Sequence, residues 1–266
     1  MTAPQPTSNR TRQVARRPLV VRFAGDSGDG VQLTGAQFTK TSVLAGNDIA
    51  TFPDYPAEIR APAGSEAGVS GFQIQFGATR ILTPGDQSDV LVAFNPAALK
   101  TSLDRLRPGG LILLDEDTFT SRNLAKAGYL ESPLEDDTLL SWQVTPVAMT
   151  RVTRNALEAS PLTKKEKDRA RNFFALGMLY YLFDRSITHT ADWIQQKFGK
   201  KPEYAQANVA ALKAGYNFAD TTELFASTYS VPQAKIEPGR YRNVTGNMAA
   251  SLGLVIDLRN NPGGLL

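Results

Sequence analysis

The residues with the strongest chemical promise form the run Gly25-Asp26-Ser27-Gly28-Asp29-Gly30, set between a strand-like Leu19-Val20-Val21-Arg22-Phe23-Ala24 and a helical pattern that begins at Val31. Glycine has no Cβ, so such a turn permits positive φ and close approach of another molecule. The free N–H groups of a helix start favour an anion. The spacing, G-x-x-G-x-G, is neither the dinucleotide fingerprint G-x-G-x-x-G nor a phosphate loop, whose Lys-Ser/Thr pair is missing. Asp26 and Asp29 also put negative charge where an anion would sit. Two readings of Gly25, Ser27, Gly28 and Gly30 follow: cofactor-binding backbone, or a tight turn with close helix-to-sheet packing.

Arg60 is the second candidate, as a guanidinium can hold a carboxylate or phosphate in a two-point grip. It lies in 54–68, a stretch without helical or strand periodicity that holds Pro56, Pro62 and Gly64 and reads as a long ordered loop of the kind that often carries function. The alternative for Arg60 is a salt bridge with Glu58 or Glu66 that orders this loop. The chain has no cysteine, which excludes disulfides, thiolate nucleophiles and all-cysteine iron–sulfur ligation within it. Its one histidine, His189, cannot build a multi-histidine metal site and is expected to be solvated or packed. No metal site is expected.

These residues need a scaffold, and the first half of the chain supplies an alternating strand and helix pattern. Strands are expected at 19–24, 48–53, 69–76, 89–94, 110–115 and about 140–147. Those at 90–94 and 111–114 are continuously apolar, as buried parallel strands are. One helix is expected from Gly30 to Leu44. Another starts at Asn95-Pro96, with Asn as cap and Pro in the first turn, and should be stopped by Pro108-Gly109-Gly110. Ala170, Phe173, Phe174, Gly177, Met178 and Tyr181 mark one buried face of a helix over 164–183, and further helices are expected at 190–198 and 203–218. The fold class is therefore α/β with a mostly parallel sheet.

The net charge is +3 from 29 basic and 26 acidic residues; Arg10, Arg12, Arg16 and Arg17 sit in 1–17 without an acid, leaving 25 against 26 elsewhere. A near-neutral body argues against nucleic acid as a partner. The 1–17 segment, rich in Pro, Thr, Ser, Gln and Arg, is expected to be a disordered tail without a secretory signal pattern. No apolar run is long enough to span a bilayer, and a soluble, cytoplasmic protein is expected. The main domain is expected over 18–225, with a boundary within 225–240.

With these segments placed, the chain resembles the alpha subunit of the 2-oxoacid:ferredoxin (2-oxoacid:acceptor) oxidoreductases, especially the 2-oxoglutarate type, in its N-terminal gamma domain. The resemblance rests on Arg22 through Gly30 with Gln32-Leu33-Thr34-Gly35, on Phe52 through Gly64, and on Gly68-Val69-Ser70-Gly71-Phe72-Gln73-Ile74. Phe94-Asn95-Pro96 and Arg171-Asn172-Phe173-Phe174-Ala175-Leu176-Gly177 agree as well, so the likeness covers about 18–255. It implies a three-layer αβα sandwich, Rossmann-like. It also implies a share in oxidative decarboxylation of a 2-oxoacid with coenzyme A to acyl-CoA, carbon dioxide and reduced ferredoxin, by an assembly inactive without its partners. Thiamine diphosphate, magnesium and iron–sulfur clusters are implied for the complete enzyme rather than for this chain, with a beta subunit and ferredoxin as partners. Coenzyme A or a partner domain is then what the glycine turn would meet. The differing class of function is a non-catalytic interaction module that docks on other subunits.

Tyr241-Arg242-Asn243-Val244-Thr245-Gly246-Asn247 resembles the entry to the next, pyrimidine-type domain, which puts Thr245 and Asn247 among the implied catalytic residues with Arg60. Met248 stands where the family usually has Glu, so the activating glutamate has no counterpart here. The segment 226–255 is expected to be a linker and the start of a truncated thiamine domain. The tail 256–266, with Asp257-Leu258-Arg259-Asn260-Asn261-Pro262-Gly263-Gly264, diverges and resembles the strand-turn of carboxyl-terminal processing proteases, without their serine or lysine.

Overall fold

Val21, Phe23, Val90, Val92 and Leu113 join one buried cluster, while their neighbours Ala24, Leu91, Ala93, Ile112 and Leu114 join another. Successive side chains of a strand point to opposite faces, so this alternation means a sheet covered on both sides. The computed structural model describes residues 11–56, 58, 61–237, 239 and 244–260. In chain order the elements are β1 (Thr11–Val14), β2 (Leu19–Asp26), α1 (Val31–Leu44), β3 (Asp48–Asp54), β4 (Val69–Gly77), β5 (Ser88–Ala93), α2 (Pro96–Ser102), β6 (Leu106–Asp115) and α3 (Ser121–Lys126). Then follow β7 (Gln143–Val147), α4 (Met149–Ala156), α5 (Lys164–Arg169), α6 (Arg171–Leu182), α7 (Thr188–Phe198), α8 (Pro202–Thr221), β8 (Ser227–Ser230) and α9 (Gly246–Asn260).

The main sheet has the order β3-β4-β2-β5-β6-β7. β2, β5, β6 and β7 pair in parallel, and β4 is antiparallel to both β2 and β3, so β4 alone runs against the others. The fold is thus an α/β sandwich with a mostly parallel sheet. α1, through Phe38, and α6 bury the sheet face of Phe23, with α8 packed behind α6, and α2 covers the other face through Ala98 and Leu99. From β2 the chain crosses through α1 to the β3 side, and from β5 through α2 to the β6 side. The carboxyl ends of β2 and β5 therefore flank the point where the winding reverses, the usual ligand position in such sheets.

α2 starts as its sequence indicates: Asn95 Oδ1 accepts from Ala98 N at 2.8 Å and Pro96 occupies the first turn. Its end differs from the expectation. The helix stops at Ser102, and Pro108-Gly109-Gly110 lies inside β6, where the register with β5 shifts between Ser88 and Val90. Leu106 is already buried against Leu91 and Leu99, so the strand begins early and the glycines serve a bulge instead of a helix stop.

The expected single helix over 164–183 is two. α5 is opened by a Thr163–Glu166 capping box and gives way at Ala170 to α6. α6 is buried all round instead of on one face, because the sheet lies on one side and α8 on the other. A Cβ on Gly177 would stand 2.1 Å from the Leu212 carbonyl oxygen, and one on Gly215 would stand 1.9 Å from that of Phe174, so the two helix backbones touch.

One expectation about the amino-terminal end is corrected. Within the tail expected to be disordered, Thr11–Val14 forms β1, which pairs in parallel with Ser227–Ser230 of β8 because Gln13 and Ala15 find hydrogen-bond partners there. The chain divides into two compact units after Lys235. In the second, residues 256–260, where the sequence resembles a protease strand-turn, continue helix α9.

Candidate functional site

β2 delivers the glycine turn to the carboxyl edge of the sheet, and the β3–β4 connection brings 61–68 to the same edge. Between them lies a cleft of about 570 Å³ lined by Asp26, Ser27, Gly28, Asp29, Tyr55, Pro56, Glu58, Ala61, Ala63, Gly68, Lys165 and Arg169. A larger cavity of about 1020 Å³ opens at the other edge, by the starts of β2 and β5, where Asp89 is held by Arg17 at 2.6 Å and Arg107 at 2.8 Å. The smaller cleft is the candidate site because it lies at the winding reversal and against the glycine turn.

The four glycine-turn candidates separate. Ser27 and Gly28 are exposed on the cleft, and a Cβ on Gly28 would meet nothing within 4 Å. Gly25 is buried, with a Cβ position 2.9 Å from Asp29 Oδ2 and 3.1 Å from Phe94. Gly30 has φ 73°, and its Cβ would lie 2.2 Å from Asn172 Nδ2. Packing thus accounts for Gly25 and Gly30; it does not account for Gly28.

The aspartates that made an anion unattractive in the sequence have other duties. Asp29 Oδ1 accepts from Arg171 Nη2 at 2.6 Å, and Asp29 Oδ2 accepts from Asp26 N at 2.9 Å. The Asp26 carboxylate accepts from Gly64 N at 2.9 and 3.1 Å, which ties the loop to the turn at a glycine with φ 83°. Burial raises the Asp26 pKa, opposed by that N–H bond and assisted by the charge on Asp29. Behind the turn, Asp115 is fully buried. Its Oδ2 accepts from Thr150 Oγ1 at 2.6 Å and from Arg171 Nη1 at 3.3 Å. Desolvation raises the Asp115 pKa against the pull of Arg171 and Thr150. For Arg171 itself burial lowers the pKa, but Asp29 and Asp115 outweigh it and the net shift is upward.

Sequence reasoning missed this network and the cations of α5. On that helix Glu166 is taken by Thr163 and Tyr204, Lys167 by the Glu158 carbonyl at 3.2 Å, and Asp168 by Arg154 at 2.7 Å. Lys165 and Arg169, four residues apart, line the cleft together with Glu58 and make no salt bridge among the described residues, although the charge on Arg169 helps to lower the Glu166 pKa. Like charges at that spacing oppose helix formation.

Arg60 lies outside the described residues, although its flanking residues Glu58 and Ala61 line the cleft. Thr245 and Asn247 fall in the second unit. There Thr245 Oγ1 accepts from Met248 N at 3.2 Å and the Asn247 carbonyl accepts from Ser251 Oγ at 2.9 Å, so both serve the start of α9. His189 is exposed on α7.

An open cleft at the winding reversal of a mostly parallel sheet, walled by a glycine turn and a long loop, defines a class of ligand-binding or subunit-binding α/β domain. The model of the pyruvate ferredoxin/flavodoxin oxidoreductase family matches residues 20–218, and the chain belongs to this family. It is 53% identical over 238 residues to the 2-oxoglutarate oxidoreductase subunit KorA of Mycobacterium tuberculosis, covering 90% of this chain and 36% of that protein. The ketoisovalerate oxidoreductase subunit VorA of Methanothermobacter marburgensis is 31% identical over 103 residues, 38% of this chain and 20% of that one. The solved 2-oxoglutarate:ferredoxin oxidoreductase of Magnetococcus marinus, with 2-oxoglutarate, coenzyme A and succinyl-CoA bound, superposes with a TM-score of 0.69 at 26% identity, over 91% of this chain and 37% of its own. The oxoacid ferredoxin oxidoreductase gamma subunit of Geobacter sulfurreducens shares the fold, with a TM-score of 0.51 at 19% identity over 76% of this chain and 98% of its own. The chain thus spans little more than a third of the length of KorA and of the Magnetococcus enzyme. Among the described residues no helix is long and apolar enough to cross a membrane.

An iron–sulfur cluster needs thiolates, and there is no cysteine. Among the described residues no three His, Cys, Asp or Glu side chains gather into a metal site.

Proposed function

We propose that this chain supplies the gamma domain of a cytoplasmic 2-oxoacid:ferredoxin oxidoreductase, acting on 2-oxoglutarate. The assembly would convert oxoacid and coenzyme A to acyl-CoA and carbon dioxide, passing electrons to ferredoxin. Thiamine diphosphate, magnesium and the clusters would be held by other domains and by a beta subunit. The observation that carries the reading is the 53% identity to a 2-oxoglutarate oxidoreductase subunit over 90% of the chain. Within the assembly this chain's part is binding and orientation. The open backbone at Gly28 lets a partner group approach, and Lys165 and Arg169 attract its negative charge in the cleft. Arg60, Thr245 and Asn247 are proposed to approach the substrate in the complete enzyme.

Co-expression with a cluster-bearing, thiamine-binding beta subunit and the remaining alpha-subunit region tests this. Viologen reduction that depends on both 2-oxoglutarate and coenzyme A is expected. Co-purification of the partners without turnover would instead identify a non-catalytic docking module.

A further inference from the structure

We propose that Arg171 is a positioning residue, which locks the glycine turn and the 61–68 loop into one arrangement around the cleft. The lock is a chain of contacts. Arg171 Nη2 donates to Asp29 Oδ1 at 2.6 Å, Asp29 Oδ2 takes the Asp26 N–H at 2.9 Å, and the Asp26 carboxylate takes the Gly64 N–H at 2.9 Å. Its far end is anchored: Arg171 Nη1 donates to Asp115 Oδ2 at 3.3 Å and to Thr150 Oγ1 at 3.2 Å, at the end of β6 and the start of α4. The guanidinium also lies 5.8 Å from the centre of the Phe94 ring, which fixes its plane. One side chain at the first position of α6 therefore joins the ends of β2 and β6, and through Asp26 it reaches the loop.

The loop depends on this link. Among the described residues its polar ties to the body are Asp26 to Gly64, Lys126 Nζ to the Ala63 carbonyl at 3.1 Å and Lys100 to Glu66 at 2.7 Å, and the two lysine ties are exposed to water. Exposed ties of that kind contribute little order. The apolar core under α6, by contrast, is complete without Arg171: Phe173, Phe174, Leu176 and Met178 are all buried within it. Loss of the guanidinium should therefore release the cleft wall while the fold persists.

The catalytic part of this inference rests on the oxidoreductase reading; the structural part does not, and the experiment separates them. Wild-type, Arg171→Met, Arg171→Lys and Asp29→Asn chains are treated with a glutamate-specific protease under native conditions, and cleavage after Glu66 is timed against cleavage at the exposed Glu135, which has no contact with the Arg171 network. Each chain is also assembled with its partners and assayed with coenzyme A. Arg171→Met should speed cleavage at Glu66 at least ten-fold relative to Glu135, and Asp29→Asn should do so by several-fold. Arg171→Met should also raise the KM for coenzyme A at least ten-fold, a larger factor than its loss of kcat, with Arg171→Lys recovering most of the difference. If Arg171→Met does not fold, the Lys and Asn variants carry the test alone. Unchanged relative cleavage at Glu66 in the folded variants, or equal acceleration at both sites, overturns the proposal. A wild-type assembly that neither binds coenzyme A nor turns over sinks the oxidoreductase reading and leaves the proteolysis to decide the lock.

Discussion

Gly28 and Gly30 are two residues apart in one turn, yet the structure predicts opposite consequences of giving each a side chain. Gly30 sits at φ 73°, and a Cβ there would fall 2.2 Å from the amide nitrogen of the buried Asn172. The left-handed conformation alone costs a non-glycine residue about 1–2 kcal/mol. Displacing a buried side chain to relieve overpacking adds about 1–3 kcal/mol. Gly30→Ala should therefore destabilise the chain by about 2–5 kcal/mol, a large share of the ~5–15 kcal/mol typical of a domain. Gly28 has no positive φ and nothing within 4 Å of its Cβ position, so Gly28→Val should change stability by about 0.5 kcal/mol or less. The same valine projects into the cleft. In the assembled enzyme it should weaken coenzyme A or partner-domain engagement at least ten-fold, read as a rise in KM or a loss of complex. Urea denaturation measures the first pair of numbers and steady-state kinetics the third. A Gly28→Val enzyme with wild-type stability and wild-type acyl-CoA formation would refute a close-contact role for this turn. A Gly30→Ala chain as stable as wild type would refute its packing role.

Other outcomes follow from the same geometry. Gly177→Ala drives a Cβ into the Leu212 carbonyl at 2.1 Å, where backbone must move; about 3 kcal/mol or more should be lost, measurable by denaturant midpoint at unchanged slope. Lys165→Glu with Arg169→Glu should raise the KM for coenzyme A about ten-fold at low salt, and the gap should narrow in 0.5 M salt as screening weakens both signs. Glu166 has its pKa lowered to about 2 from 4.5 by the Tyr204 and Thr163 contacts, so the folded state holds that proton less tightly than the unfolded chain. Its stabilising share is present above pH 4.5 and fades as pH falls through about 2; Glu166→Gln should be less stable than wild type at pH 7 and converge with it near pH 2. A constant difference across that range would contradict the assignment.

The sheet was legible because its strands are short, apolar and punctuated: 90–94 and 111–114 carry side chains that must be buried on both faces, and Asn95-Pro96 states a helix start outright. Pro108-Gly109-Gly110 misled because the same residues suit a helix stop and a bulged strand, and only the burial of Leu106 chooses between them. The break at Ala170 carries no glycine or proline, so no local signal announces it. The glycine turn and the 54–68 loop were visible as candidates from composition. What joins them was not. Asp29 and Arg171 are 142 positions apart, and an arginine heading a buried helix reads as solvated until the fold brings it over Phe94. Likewise β1 pairs with a strand at 227–230, a partner that a Pro- and Arg-rich tail gives no reason to expect. Lys165 and Arg169 stand in the mixed-charge run Lys164-Lys165-Glu166-Lys167-Asp168-Arg169, and only the pairing of their neighbours on α5 singles them out.

The central claim is that this chain is a working gamma domain of a 2-oxoacid oxidoreductase. Its most direct test replaces the matching segment of the KorA subunit with residues 20–218 of this chain, assembles the graft with its partner subunit, and measures viologen reduction. The account predicts turnover that requires both 2-oxoglutarate and coenzyme A, within about ten-fold of the parent and lost in the Gly28→Val graft. A graft that folds and assembles but shows no oxoacid-dependent reduction would contradict it.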